Sequence, residues 1–348
     1  MATITDVARL AGVSIATVSH VINGTKYVGP GQVDKVNKAI RELGYKTNEM
    51  AASMKRRHTM NIGVILPNIR MVFFPEVLEG IEAAAKEKGY KLFYYSTEYD
   101  FEKEKEYLNQ LKSSWVDGIV IDSCCASDNI EEYQKVLIGD PTEKKVPVVA
   151  LETPFSAEEL GVILFDQVKY TTEALEYLIS IGRKKIGLIT GPDLPVYRDT
   201  MTACRKVFRK HGISFRKASV MHGDYFTESG YVLASQALEN GADWDAVFAE
   251  NDQMAIGAMK AIREAGKRIP EDIAVIGADG VFVTSLINPS LTTIDLPRYE
   301  MGYRSVEMLV DMIRNHPDKG EKLVLDGKLI IRQSTDSSVK ENWGVKGW

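Results

Sequence analysis

Three cysteines in 348 residues, two of them adjacent (Cys124 and Cys125), cannot build a disulfide framework, and their spacing matches no zinc site. Histidine is as sparse. The five (20, 58, 211, 222, 316) stand far apart and none falls in HExxH or another metal-ligand spacing. There is no G-x-S-x-G elbow and no G-x-x-x-x-G-K-[ST] phosphate loop. The sequence therefore points to no enzyme, no metal and no cofactor. No apolar run reaches the roughly 18 residues that a membrane helix needs. The first twenty residues carry Asp6 and Arg9 among polar spacers, so a signal peptide is not expected and a reducing cytoplasm is. What the chain does have is 45% hydrophobic residues, enough for large buried cores in two or three domains.

A net charge of −5 argues against a nucleic-acid partner only if it is evenly spread. Residues 1–58 hold nine Lys/Arg against four Asp/Glu, a surplus of five, which leaves −10 on the remainder. A basic module joined to an acidic body is the asymmetry expected when one part binds a polyanion and the other does something else.

The basic module reads as three short helices. Thr3 can cap the first, with Asp6 at its positive end, and Ile4, Val7, Ala8, Leu10 and Ala11 follow at helical spacing. Gly12 stops it. Ser14 can cap a second helix from Ile15 to about Asn23, with Val18, Val21 and Ile22 inward and Ile15, Ala16, Ser19 and His20 on the other side. The intervening turn contains Gly, as in a helix-turn-helix. Gly29-Pro30 opens a third helix striped by Val33, Val36, Ala39, Ile40 and Leu43, and Gly44 ends it.

These residues carry a family likeness. The string TITDVARLAGVSIATVSHVINGTKYVGPGQVDKVNKAIRELGYKTN resembles the N-terminal headpiece of the LacI/GalR family of bacterial transcription regulators, combining A-x-x-A-G-V-S, A-T-V-S-x-V-I-N-G and A-I-x-E-L-G-Y in order. The resemblance implies that the second helix enters the major groove of operator DNA. Ile15, Ala16 and His20 would then face base edges, while Thr5, Ser14, Thr17, Ser19 and Asn23 mainly meet phosphates. Position 20 is usually Arg in the family; histidine offers at most one donor to guanine N7 or O6, so a different operator consensus is expected.

Residues 48–55 resemble the family's hinge helix. The resemblance implies that Met54 acts as the minor-groove wedge, that Ala51 lets paired hinge helices approach, and that Asn48 and Lys55 meet DNA. Eight residues are too few for a stable isolated helix, so this segment is expected to fold only on DNA. Lys55-Arg56-Arg57 beside it would grip phosphate.

From Asn61 the texture changes to strands alternating with amphipathic helices. Apolar runs at 62–68, 90–96, 117–123, 146–152, 161–166, 185–191, 217–222, 246–251 and 273–279 are separated by helical patterns at 75–89, 101–114, 129–138, 170–182, 199–212, 227–241 and 252–266. Repeated βα units imply doubly wound parallel sheets. The expected fold is an all-α helix-turn-helix headpiece plus an α/β core of two doubly wound parallel-sheet lobes. The likeness to the family extends over about 3–335 and makes that core periplasmic-binding-protein-like. The expected boundaries are a headpiece at 1–46, hinge and linker at 47–60, a core at 61–338 and a tail at 339–348. Within the core, one lobe takes about 61–164 and 293–325, the other about 165–292 and 326–338.

Ligands in such sheets bind beyond the carboxyl ends of the strands. Asp279, Asn251 and Glu152 end strands and are polar without a packing reason, although for each polar candidate here, Arg198 included, a helix cap or a domain-interface hydrogen bond is the competing reading. Arg198 can fork onto vicinal hydroxyls or a carboxylate. Tyr225 can stack on a sugar face, and Phe73, Phe74 and Phe165 add apolar wall. By resemblance these positions match effector contacts of sugar-responsive members. Thr200 stands where many relatives have a second Arg, and Gly277-Ala278-Asp279-Gly280 replaces G-F/Y-D-D, so a neutral ligand, a small saccharide, is expected. A purine or a phosphorylated carrier protein, both used elsewhere in the family, stays open. The expected partners are a pseudo-palindromic duplex operator, a sugar effector and a second copy of the chain, with no membrane. The competing class is a solute-binding protein without DNA function, which leaves residues 1–58 unexplained.

Overall fold

The computed structural model describes residues 2–45, 58–113, 116–140, 142, 145–215, 220–315 and 319–340. They fall into two units, Met1–Thr59 and Met60–Trp348.

In the first unit, local chemistry sets each boundary. The Thr3 hydroxyl accepts from the Asp6 amide while the Asp6 carboxylate accepts from the Thr3 amide, a reciprocal cap that starts α1 (Ile4–Ala11). Gly12 ends it with φ +64°, a conformation that costs glycine nothing. Ser14 Oγ accepts from the Thr17 amide at 3.1 Å and starts α2 (Ile15–Asn23). Pro30 occupies the first position of α3 (Pro30–Leu43), and Gly44 closes it. Val7, Ala8, Ala11, Val18, Val36 and Ala39 bury a small core between the three helices. Leu10 departs from the expected stripe: it lies 50% exposed, because Val7, Ala8 and Ala11 already fill the inward face of α1.

The second unit alternates β1 (Asn61–Leu66), α4 (Phe73–Lys88), β2 (Lys91–Ser96), α5 (Phe101–Lys112), β3 (Gly118–Asp122), α6 (Ile130–Ile138), β4 (Val148–Leu151) and β5 (Gly161–Phe165). It continues through α7 (Gln167–Ser180), β6 (Ile186–Thr190), α8 (Pro195–Lys210), β7 (Val220–His222), α9 (Thr227–Glu239), β8 (Ala246–Ala249), α10 (Asp252–Glu264) and β9 (Ala274–Asp279). The last elements are β10 (Thr292–Asp295), α11 (Arg298–Arg314), β11 (Lys322–Leu325) and β12 (Lys328–Ile330). Near-continuous Val, Ile and Leu make β1, β3, β4 and β6 apolar on both faces, as strands sandwiched between helices must be.

Two six-stranded sheets result, ordered β11-β5-β4-β3-β1-β2 and β12-β10-β9-β8-β6-β7. All described pairings are parallel except β10 with β12. Strand order reverses beside β1 in the first sheet and beside β6 in the second, which is where an open sheet of this kind leaves a crevice. The chain passes between lobes after β5, after β10 and after β11. The second passage lies after Asp295, so Thr293 to Asp295 pair with the second sheet rather than belonging to the first lobe.

Each lobe also holds one pair of helices in backbone contact. A Cβ on Gly302 of α11 would strike the Val77 carbonyl of α4, and one on Gly80 would strike the Tyr299 carbonyl. In the other lobe Gly230 and Gly257 do the same for α9 and α10. Only glycine permits this approach.

Candidate nucleic-acid interface and interlobe cleft

In the headpiece, burial of Val18 turns the opposite side of α2 outward. Ile15 is 49% exposed, an aliphatic side chain with no core to join, and Ser14 and Ala16 beside it are exposed. Thr17, Ser19 and His20 are half-buried, and Thr5 is exposed on α1. The Ser14 hydroxyl also lies 2.9 Å from Thr17 Oγ1. His20 Nδ1 lies 2.8 Å from Thr25 Oγ1, which fixes the imidazole against the turn after α2. Asn23 closes α2. Asn48, Ala51, Met54 and Lys55 lie outside the described residues.

In the core, the carboxyl ends of both sheets meet across a cavity of about 80 Å³, counted as space open to the centre of a water molecule. Phe73 and Phe74 line it, edge to face at 5.1 Å, as do Glu152, Tyr225, Asn251 and Asp279. Phe165 stands behind them, its ring 6.3 Å from that of Phe73. Asn251 is committed locally: its Oδ1 accepts from the Met254 amide to cap α10, and its Nδ2 donates to the Tyr225 carbonyl.

Arg198 is placed elsewhere. Its guanidinium is 48% exposed and grips Asp128 of the first lobe at 2.7 Å and Asp193 of its own lobe at 3.3 Å. It is not part of the cavity wall; the two carboxylates take the fork that a ligand would use. Ser127 Oγ donates to the Asp193 carbonyl beside it, at 3.4 Å. Across other parts of the cleft the Val72 amide donates to Gln253 Oε1 at 2.9 Å, and the Tyr99 and Tyr225 rings stack at 6.2 Å.

The wall also contains residues that strand-end reasoning overlooked. Asp122 ends β3 and Glu250 follows β8, so the rule that singled out Asp279 applied equally to both. Tyr99 and Tyr170 carry no comparable signal. Glu250 is saturated: Oε1 accepts from Thr200 Oγ1 at 2.6 Å, and Oε2 from the Gly191 amide at 2.7 Å and the Tyr225 hydroxyl at 3.4 Å. Thr200 also accepts from Gln167 Nε2 at 2.8 Å. Asp252, behind the wall, accepts from Thr293 Oγ1 and the Val281 amide.

Removal from water dominates the titration of every one of these acids. Burial holds Asp122 well above the usual carboxylate range, with Glu152 and Glu104 adding repulsion. Asp279 is raised likewise, by burial and then by Asp252. Burial pushes Glu152 up to about 8 against one hydrogen bond from the Phe165 amide, and Asp252 up to about 7.

Backbone strain gathers at the same place. Among the described residues six non-glycine positions have left-handed φ, and four of them, Tyr99 (+61°), Glu152 (+55°), Tyr225 (+70°) and Asp279 (+111°), line the cavity. Such conformations persist where surrounding structure holds them, and they mark functional sites.

Comparison with known proteins accounts for both halves. Residues 3–48 match the family described as bacterial regulatory proteins, lacI family, and residues 59–333 match the periplasmic binding proteins and sugar binding domain of the LacI family. The repressor PurR of Vibrio atlanticus is 34% identical over 335 residues, covering 96% of this chain and 98% of that one. The lac repressor dimer bound to operator and the anti-inducer ONPF superposes with a TM-score of 0.84 at 28% identity, covering 96% of this chain and 99% of that one. The complex of the transcriptional regulator CelR with cellobiose gives 0.70 at 28% identity, covering 96% and 100%. Among the described residues no helix is long and apolar enough to cross a membrane. With a capped helix-turn-helix, a two-lobed parallel-sheet core and relatives that are transcriptional repressors rather than enzymes, the chain belongs to the LacI family of bacterial regulatory proteins.

Proposed function

We propose that this protein is a cytoplasmic, non-catalytic repressor that binds a pseudo-palindromic operator as a homodimer, its affinity set by a saccharide held between the core lobes. One observation carries the reading: a single chain joins an outward-facing α2 to a strained cleft of aromatic rings and carboxyl groups. Two-fold symmetry of the protein would be mirrored in the half-sites. Ile15, Ala16 and His20 supply the base contacts, and Thr5, Ser14, Thr17, Ser19 and Asn23 the phosphate contacts. Asn48, Ala51, Met54 and Lys55 act at the centre of the site. In the tautomer in which the Thr25 hydroxyl donates to His20 Nδ1, Nε2 carries the proton and is the one donor left for a guanine edge.

On the ligand side, Tyr225 and the Phe73–Phe74 pair provide ring faces, and Glu152 and Asp279 accept hydroxyl protons; Asn251 and Phe165 position them. Closure of the lobes on a sugar changes how the headpieces are presented, a coupling of about 1–3 kcal/mol in typical cases.

The test is selection of bound duplexes from a random library by the full-length protein, with and without a saccharide panel. Enrichment of paired, inverted half-sites is expected, weakened by one or more sugars. His20→Ala should cost about 1–3 kcal/mol at one base position and relax preference there. Binding without sequence preference would overturn the assignment.

A further inference from the structure

Among the described residues that line the cavity there is no Lys, Arg or His, yet four are acids: Asp122, Glu152, Glu250 and Asp279. Glu250 is occupied by its three donors. Glu152 accepts one amide. Asp122 and Asp279 are 7% and 9% exposed, and neither accepts a hydrogen bond from a described protein group. Two carboxyl groups more than nine-tenths buried, unpartnered and facing a cavity, are acceptors waiting for donors that the protein does not supply.

Arg298 acts on Asp279 through its charge but donates a hydrogen bond to neither acid. Arg298 is buried, binds Glu76 through Nε and Nη2 at 2.9 and 2.6 Å, donates to the Gly280 carbonyl and stands 4.0 Å from Asp295. Among the described residues no three His, Cys, Asp or Glu side chains are grouped so as to hold a metal ion. An organic donor fits instead, and the rings of Tyr99, Tyr170 and Tyr225 around the acids suit a cation as well as a sugar face.

Resting on the reading of this cleft as the effector site, we propose that its occupant is a cation: a polyhydroxylated ring carrying a protonated amine, seated at Glu152 between Asp122 and Asp279. Phosphorylated or carboxylated sugars are rejected, because they would add a buried negative charge with no counterion. A neutral sugar can hydrogen-bond to the protonated carboxyls, whereas an ammonium also favours their ionised forms.

The proposal has a proton signature. Glu152 has Asp122 beside it at the end of the neighbouring strand, Asp279 across the cleft, and Asp199 and the Tyr170 ring also near it; Asp122 also faces Glu104, and Asp279 faces Asp252, Glu250 and Arg298. Burial and mutual repulsion favour the protonated forms of these carboxyls, and an ammonium favours their ionised forms. Binding of an amine therefore releases protons, and its affinity rises with pH until the amine itself deprotonates.

Isothermal calorimetry on the full chain tests this with pairs: glucosamine and glucose, galactosamine and galactose, mannosamine and mannose, with N-acetylglucosamine, glucose 6-phosphate and spermidine alongside. At least one amino sugar should bind ten-fold or more tighter than both its parent and its acetylated form, with a heat that changes with the ionisation enthalpy of the buffer. Glucose 6-phosphate should not bind. Asp122→Asn, Asp279→Asn and Glu152→Gln should each cut the preference for the amine, with melting curves reporting whether the fold survives; the buffer dependence of the unaltered protein needs no variant. No amine exceeding its neutral parent, or a phosphate binding tightest, overturns the proposal. Spermidine binding where no sugar does keeps the cation and removes the saccharide; equal binding of parents and amines does the reverse.

Discussion

Behind the cleft wall, the carboxyl groups are enclosed by donors: Glu104 takes the Ser123 hydroxyl, the Cys124 amide and the Cys124 thiol, and Asp252 takes Thr293 and the Val281 amide. Glu250, though it reaches the wall, is held the same way by Thr200, Gly191 and Tyr225. On the wall itself Asp122 and Asp279 have no such partners and Glu152 has one. Both layers are buried and both are acidic, so burial alone does not distinguish scaffold from site. Spare acceptor capacity does. The saturated layer ties strand ends to their helices, and the unsaturated layer keeps its lone pairs for something that arrives from outside.

The difference is broken most directly by removing one member of each layer. Glu250→Leu leaves the Gly191 amide and the Thr200 hydroxyl buried without an acceptor, and should lower stability by about 3 kcal/mol, since each orphaned buried group costs about 1–3 kcal/mol. Asp122→Asn removes a crowded carboxyl that no protein group needs, and should change stability by no more than about 0.5 kcal/mol. Urea melts of the two variants beside the parent measure both. Equal losses would erase the distinction between layers.

A second consequence concerns pH. Glu152 titrates in the folded protein at about 8, above its unfolded value near 4.5, so the folded state binds the extra proton between those limits. Stability conferred by that protonated form is present at low pH and is lost as pH rises from about 4.5 through about 8. Carboxylates with lowered values, such as Asp272 beside Arg268, work in the opposite direction below that window. The measurement is therefore a difference: melting temperature against pH for the parent minus that for Glu152→Gln. A slope falling across pH 5–8 is expected, and a flat difference would mean that Glu152 is well solvated.

Local chemistry explains why the headpiece was readable residue by residue. Thr3, Asp6, Ser14, Gly12 and Gly44 act on amides and turns within a few positions of themselves, so their roles need no knowledge of the rest of the chain. Ser14→Ala should accordingly cost about 1 kcal/mol in headpiece stability and nothing in core melting. The strand-helix alternation was legible for a related reason, since apolar runs of strand length have few other uses. Partner identity was not legible. The cap at Asn251 is the competing reading from the sequence, but that its amide also reaches the Tyr225 carbonyl, or that Phe165 backs Phe73 without reaching the cavity, depends on loops folding over strand ends. Tyr99 enters the wall through a left-handed turn after β2 that no periodicity announces.

Arg198 gives the smallest expected effect and the sharpest separation of rim from wall. From the sequence it is a fork beside a strand end that suits a ligand anchor or an interlobe hydrogen bond alike. In the fold, Asp193, five residues earlier, and Asp128, from the opposite lobe, hold its two edges in solvent. Exposed pairs of this kind contribute between nothing and about 1 kcal/mol and are screened by salt. Arg198→Ala should therefore lower melting only slightly, and less still at high salt. Because one of its partners belongs to the other lobe, the loss falls on the closed arrangement of the lobes. Any ligand that closes them should bind Arg198→Ala a few-fold more weakly, with its selectivity among ligands unchanged. Asp279→Ala, acting on the wall, should change that selectivity. Calorimetry of both variants against one ligand panel decides the matter: a changed order of preference in Arg198→Ala would move the guanidinium from the rim into the site.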